Sequence, residues 1–224
     1  MNSIIINANS LDALHEVADN SVSLICIDPP YHQGLTSNGK KASYSDLNMV
    51  VPFYRELFRQ YKRVLKKDGL LYMFCDFRSA TMYYPILEEF FRVRNKITWN
   101  KGSGAGNHYS FSSEEIYYCS NPEFSPSIGG ANVWDCKSFS NGAKRTNGAK
   151  EHDCQKPVEL IERIIRDSTQ PNDLVLDTFA GSGTTAIACI NLDRRFIGYE
   201  IDPATYEIAV NRISKAIETR EFKY

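Results

Sequence analysis

Asp28-Pro29-Pro30-Tyr31 closes the apolar run Ser23-Leu24-Ile25-Cys26-Ile27. The tetrapeptide suits an aromatic amino group. Such an amine is a poor nucleophile because its lone pair is delocalised into the ring. Two acceptors that hold its two hydrogens make the nitrogen more tetrahedral. The Asp28 carboxylate can take one hydrogen and the Pro29 carbonyl the other, with the paired prolines stiffening the turn that aims them. Tyr31 would stack on the ring that carries the amine.

A second constellation, Asp177-Thr178-Phe179-Ala180-Gly181-Ser182-Gly183, follows the run Asp173-Leu174-Val175-Leu176. Glycines let a backbone turn tightly and approach a ligand closely. Glu200 lies 23 residues after Asp177 (200 − 177), close to the roughly 20-residue offset at which an acid meets ribose hydroxyls. The set suits a nucleoside cofactor, held by Asp177, Phe179, Ala180, Gly181, Ser182, Gly183, Thr184 and Glu200. Gly181 to Ala186 also fits G-x-G-x-x-A, the dinucleotide fingerprint. Only 41 residues follow Gly183 (224 − 183), too few for the second nucleotide-binding half of a dehydrogenase. Asp202, before Pro203, reads as a helix cap and not as a ligand.

Both constellations need strands whose carboxyl ends share an edge. Short apolar runs predict seven strands, near 3–6, 23–27, 70–75, 95–99, 114–119, 173–177 and 195–199. Helices are expected over 10–17, 51–66, 79–91, 157–168, 184–192 and 203–218. Gly69 is expected to stop the second of these, and Pro157 to open the fourth. The alternation predicts an α/β fold with a mostly parallel sheet and helices on both faces. The strands at 95–99 and 114–119, with no helix between them, predict an antiparallel pair at one edge. One domain spanning 1–224 accommodates all of this. Two irregular stretches interrupt it, His32 to Asn48 and the Gly-, Asn- and Ser-rich 100–151. Long loops in a compact domain usually carry function.

The formal net charge of −1 excludes a globally basic nucleic-acid binder, so any such surface must be local. Residues 137–150 supply one: Lys137, Lys144, Arg145 and Lys150, with no acid between them. Arg92, Arg94, Lys96 and Lys101 are candidates to extend it. Six cysteines without a C-x-x-C pair point to reduced thiols in a cytoplasmic protein, with no metal site. No signal peptide and no membrane span are expected.

The two motifs, with the amine grip first and the glycine loop last, resemble the beta group of DNA amino-methyltransferases. That resemblance covers nearly the whole chain apart from 100–151. It implies a circularly permuted Rossmann-like fold, S-adenosylmethionine as cofactor and DNA as substrate. The target base must be flipped out of the duplex. Adenine is favoured over cytosine, because the D-P-P-Y form goes mostly with adenine. The resemblance makes Asp28, Pro29, Pro30 and Tyr31 catalytic, with Asp28 also bordering the cofactor. His152-Asp153-Cys154-Gln155-Lys156-Pro157 matches an H-x-x-Q-K-P segment beside the methionine end of the cofactor, so Lys156 is expected to pair with the carboxylate there. Asn9 stands where many members carry an Asp that contacts the cofactor adenine. Residues 102–151 become an inserted target-recognition region, with Lys101, Lys137, Lys144, Arg145 and Lys150 on DNA and Lys40 and Lys41 folding over it. A homodimer would enlarge a small reader. Alternatives are an N4-cytosine DNA methyltransferase, an RNA or protein-amide methyltransferase and, in another class, a DNA-binding regulator without catalysis. The RNA and protein families usually place the glycine loop first.

Overall fold

The computed structural model describes residues 3–31, 36–37, 40–41, 47–102, 104, 109–137 and 155–221. Its strands are β1 (Ser3–Asn7), β2 (Val22–Ile27), β3 (Thr36–Ser37), β4 (Lys40–Lys41), β5 (Leu65–Cys75), β6 (Arg92–Asn100), β7 (Ser113–Ser120), β8 (Val133–Asp135), β9 (Leu174–Asp177) and β10 (Arg195–Glu200). Its helices are α1 (Ser10–Ala13), α2 (Leu47–Val64), α3 (Phe77–Glu88), α4 (Val158–Ser168), α5 (Thr184–Asn191) and α6 (Pro203–Glu221). The main sheet runs β1-β10-β9-β2-β5-β7-β6-β8, and β3 and β4 form a separate pair.

The α/β architecture and the mostly parallel sheet are as expected. Among the described residues the main sheet has eight strands where seven were expected. The added strand, β8, pairs parallel with β6. The antiparallel neighbours β6 and β7 therefore stand one strand in from the edge. Both β7 and β8 fall within 102–151, so part of that interval is integral to the sheet. Gly69 does not end a helix. α2 stops at Val64 and β5 starts at once, and the β2–β5 pairing jumps from Val22↔Leu65 to Leu24↔Leu70. Gly69 lies in that bulge, where a Cβ would come within 2.7 Å of the Leu65 side chain.

Side chains alternate across the sheet, so β2 serves two cores. Ile25 and Ile27 join Tyr54, Leu57, Phe58 and Tyr61 of α2 and Tyr83 and Leu87 of α3. Leu24 and Cys26 join Ile161, Ile164 and Ile165 of α4 and Ala186, Cys189 and Ile190 of α5 on the other face. Each large aliphatic or aromatic group so covered contributes about 1.5–3 kcal/mol. Two packed layers thus make the strand ends a rigid platform.

From β9 the chain passes through α5 to β10, while from β2 it leaves through α2 to β5, on the other side. The crevice between β9 and β2 is therefore the point where strand order reverses, the usual ligand site of open α/β sheets. Asp28 and Asp177–Gly183 both lie there, on strands paired through Leu24↔Val175 and Ile25↔Leu176.

Candidate active site

Asp28 leaves β2 between two donors. Its Oδ2 lies 2.7 Å from the Lys156 Nζ, and its Oδ1 accepts from the Tyr31 hydroxyl at 3.0 Å. The same hydroxyl lies 2.7 Å from Glu114 Oε2, so its single proton is shared between two carboxylates. Lys156 also reaches Glu114 Oε2 at 3.1 Å and donates to the Tyr31 oxygen at 3.1 Å. Lys101 closes the cluster from outside, 3.2 Å from Glu114 Oε1. Rings of Tyr31, Phe74 and Trp99 surround the Lys156 ammonium, their centroids 5.3, 5.3 and 5.9 Å away.

Two anions, two cations and a phenol thus share one partly covered space, and their titration follows from it. Burial raises the Asp28 pKa; Lys156 opposes the shift and Glu114 adds to it. Burial also pushes Glu114 up, but Lys156 and Lys101 outweigh it and leave its carboxyl below the ordinary range. Lys156 is held charged because its two acids outweigh its own burial. Burial and the neighbouring acids keep Tyr31 protonated, a donor at any working pH.

The turn is anchored from behind. The Tyr83 hydroxyl donates to the Pro30 carbonyl at 3.2 Å and lies 3.0 Å from the Tyr54 hydroxyl.

The glycine loop is built around two acids. Asp177 is only 4% exposed. Its Oδ1 accepts from the Phe179 amide at 3.0 Å and its Oδ2 from the Thr185 hydroxyl at 2.6 Å. It holds the loop's shape, and burial pushes its carboxyl up to about 7. Glu200 Oε2 accepts from the Gly181 amide at 2.9 Å, and its Oε1 from the Asp202 amide at 2.8 Å. Gly181 and Gly183 adopt φ of +51° and +81°, and Gly183 caps α5. Ser182 is buried and accepts from Arg212 at 2.7 Å. Ala180 and Thr184 are buried beside it, whereas Phe179, Gly181 and Glu200 stay partly open.

Several expected ligands have other partners. An ammonium has three N–H donors, and Asp28, Glu114 and Tyr31 take all three of Lys156. It bridges two acids here, and the expected pairing with a cofactor carboxylate would have to displace one of them. Asn9 caps α1, its side chain accepting from the Leu11 amide at 3.1 Å. Lys101, 15% exposed, turns inward to Glu114 and not to an open face. Lys137 is exposed, two residues past β8 and on the same edge. Arg94 binds the Ser120 hydroxyl and nearby carbonyls, while Lys96 pairs with Glu115 and Arg92 with Glu88 through side chains that stay exposed. Lys144, Arg145, Lys150 and His152 to Cys154 lie outside the described residues, as do the side chains of Lys40 and Lys41. Asp202 is the cap expected of it, accepting from the Ala204 amide and the Thr205 hydroxyl.

Glu114 is the residue that sequence reasoning missed. Its signal is the pair Glu114-Glu115 at the start of a strand otherwise apolar. Period-two alternation sends one acid to each face: Glu115 meets Lys96 at 3.2 Å and Glu114 meets the cluster.

Residues 22–129 and 127–211 match the profile of the N6/N4 DNA methylase family. The chain belongs to this family. Among the relatives of this methylase, Type II methyltransferase M.HpaI of Haemophilus parainfluenzae is 30% identical over 95% of this chain and 74% of its own. DNA adenine methyltransferase YhdJ of Escherichia coli (strain K12) is 27% identical over 95% and 83% respectively. The solved complex of M1.HpyAVI with SAM superposes on the methylase with a TM-score of 0.71 at 26% identity, covering 95% of this chain and 99% of that one. The cytosine-N4-specific PvuII DNA methyltransferase reaches 0.77 at 21% identity, over 96% and 91%, a likeness of fold.

Proposed function

We propose that this methylase transfers a methyl group from S-adenosylmethionine to the exocyclic amine of adenine in DNA, and that the order of its motifs places it in the beta group. The supporting observation is adjacency. The turn that suits an amine and the loop that suits a nucleoside close two hydrogen-bonded strands, although their first acids lie 149 positions apart (177 − 28). A donor in one and an acceptor in the other would meet in the crevice between them.

When bound, S-adenosylmethionine supplies an electrophilic methyl group on a sulfonium centre. The chain's residues fit such a group. Glu200, partly open at the loop's mouth, would hold ribose hydroxyls. Gly181 lets the backbone come close, Phe179 lines the approach, and Asp177, Ala180, Ser182, Gly183 and Thr184 hold the loop in shape. Asn9, two residues past β1, would border the adenine ring while capping α1. Asp28, beside the crevice, would touch both partners.

On the substrate side, Asp28 and the Pro29 carbonyl would accept the two amine hydrogens, on a turn that Pro30 completes and Tyr83 anchors. The Tyr31 ring would stack on the flipped base. Once alkylated, the nitrogen is cationic and sheds its proton readily, so Asp28 need not be a strong base. Residues 102–151 would read the target, with Lys137 and the basic residues to Lys150 on phosphates and Lys40 and Lys41 closing over DNA. A homodimer would enlarge that reader.

Adenine rests on D-P-P-Y and on the likeness to an adenine-methylating relative. The test is nanopore sequencing of plasmid DNA from cells that express the protein, beside an Asp28→Ala control. Methyladenine at one short motif, absent from the control, is the expected result. Methylcytosine would keep the mechanism and overturn the base; no DNA modification would overturn the reading.

A further inference from the structure

We propose that Glu114 is a positioning residue for methyl transfer: it receives the Tyr31 hydroxyl and the Lys156 ammonium when Asp28 turns to the target amine. The inference rests on the function proposed above and gives a role to a residue outside both motifs.

Asp28 is engaged on both oxygens, by Tyr31 on Oδ1 and by Lys156 on Oδ2. An incoming amine hydrogen must compete with those donors. Simply expelling them would leave a phenol and an ammonium unsatisfied in a poorly solvated space, which is costly. Glu114 removes that obstacle. Its Oε2 is already 2.7 Å from the Tyr31 hydroxyl and 3.1 Å from Lys156. Both donors can therefore lean from one acid to the other without leaving the cluster. The Tyr31 ring keeps its anchor while its face meets the base.

Glu114 is equipped for this. It sits on β7 opposite Trp99 in the antiparallel register, a fixed position in the sheet. Lys101 holds its other oxygen and balances the second negative charge. Without Lys101, one ammonium would face two carboxylates.

The groups that face Asp28 are Lys156, Glu114 and Tyr31, with Asp177, Cys26 and Tyr83 interacting from further away. Of these, Glu114 is an acid that raises the Asp28 pKa. Neutralising it therefore moves the onset of Asp28 ionisation to lower pH.

The test is a cycle of full-length wild type, Glu114→Gln, Tyr31→Phe and the double variant. Tritiated S-adenosylmethionine and unmethylated genomic DNA are the substrates, and kcat and KM are followed against pH. Glu114→Gln is expected to lower kcat by about tenfold or more, and by clearly less in the Tyr31→Phe background, where one donor no longer needs a receiver. The acid limb of its profile should move to lower pH. The proposal is overturned if Glu114→Gln keeps kcat within about twofold of wild type. It is equally overturned by equal losses in both backgrounds with the acid limb unmoved, the mark of simple packing damage. Should Glu114→Gln not fold, Glu114→Asp, which keeps the charge but withdraws the oxygens, goes through the same cycle with the same non-additivity expected. A wild type that methylates no DNA overturns both readings; an active wild type indifferent to Glu114 overturns this one alone.

Discussion

Lys156 and Asp28 meet at 2.7 Å, joining the segment before α4 to the end of β2. The lysine is 11% exposed and surrounded by aromatic rings, so water screens the pair poorly. It favours the charged form of an acid that burial would otherwise keep protonated.

Lys156→Met should therefore raise the Asp28 pKa further. Since the amine grip needs a carboxylate, the acid limb of kcat/KM should move to higher pH, with the largest loss of activity on the acid side. Rates measured from pH 5 to 9 test this. A limb that stays in place would mean that Lys156 does not set the Asp28 charge.

Asp177 gives a prediction about stability. Folded, it keeps its proton up to about 7; its ordinary value is 3.8. Between those values the folded form binds more protons, so its contribution to stability falls as pH rises and is fully lost above 7. Asp177→Asn keeps an acceptor for the Phe179 amide without the charge. It should stabilise the protein at pH 8 by an amount on the order of 2–4 kcal/mol, and by less at pH 5. Urea unfolding at the two pH values checks the sign. An equal effect at both would exclude the buried charge as its cause.

Gly183 and Gly181 should separate stability from binding. At φ +81°, Gly183 would place a Cβ 3.2 Å from that of Ala209 on α6. Gly183→Ala should cost roughly 1–2 kcal/mol from backbone strain alone. A Cβ on Gly181, at φ +51°, would meet nothing closer than 3.9 Å. Asparagine tolerates that region, so Gly181→Asn should melt near wild type yet bind S-adenosylmethionine more weakly. Thermal melts and calorimetry read the two effects apart.

Two lysines distinguish the cluster from a DNA surface. Lys137→Ala should lower the slope of log K against log salt by about 0.9 if that side chain neutralises one phosphate. Lys101→Met, which removes the partner of Glu114, should leave the slope unchanged and reduce kcat. The opposite pattern would return Lys101 to the DNA-reading surface.

The sheet was legible because seven of its strands are apolar runs long enough to show a period. Val133-Trp134-Asp135 is three residues among Gly and Asn, too short for one, and only pairing with β6 makes it a strand. Gly69 misled because glycine ends helices and also fills bulges; the pairing of Val22 with Leu65 decided which. Both motifs could be read because their residues are contiguous. Glu114 and Lys101 could not, since strand register and not chain proximity brings them to Tyr31 and Lys156. The same limit explains Lys156 itself: its segment was recognisable, but its partners come from β2 and β7.

The order β1-β10-β9-β2 has a consequence for how the molecule is made. Within the sheet β1 pairs with β10, and β10 and β9 fill the space between β1 and β2. On the ribosome, everything up to β8 emerges before β9 and β10, so β1 has no strand partner and one edge of β2 is unpaired. The sheet is complete only once Leu174–Glu200 joins β1 to β2. The loop that suits the nucleoside arrives in that same step, so a nascent chain has no methyl-transfer crevice until its central wedge is in place.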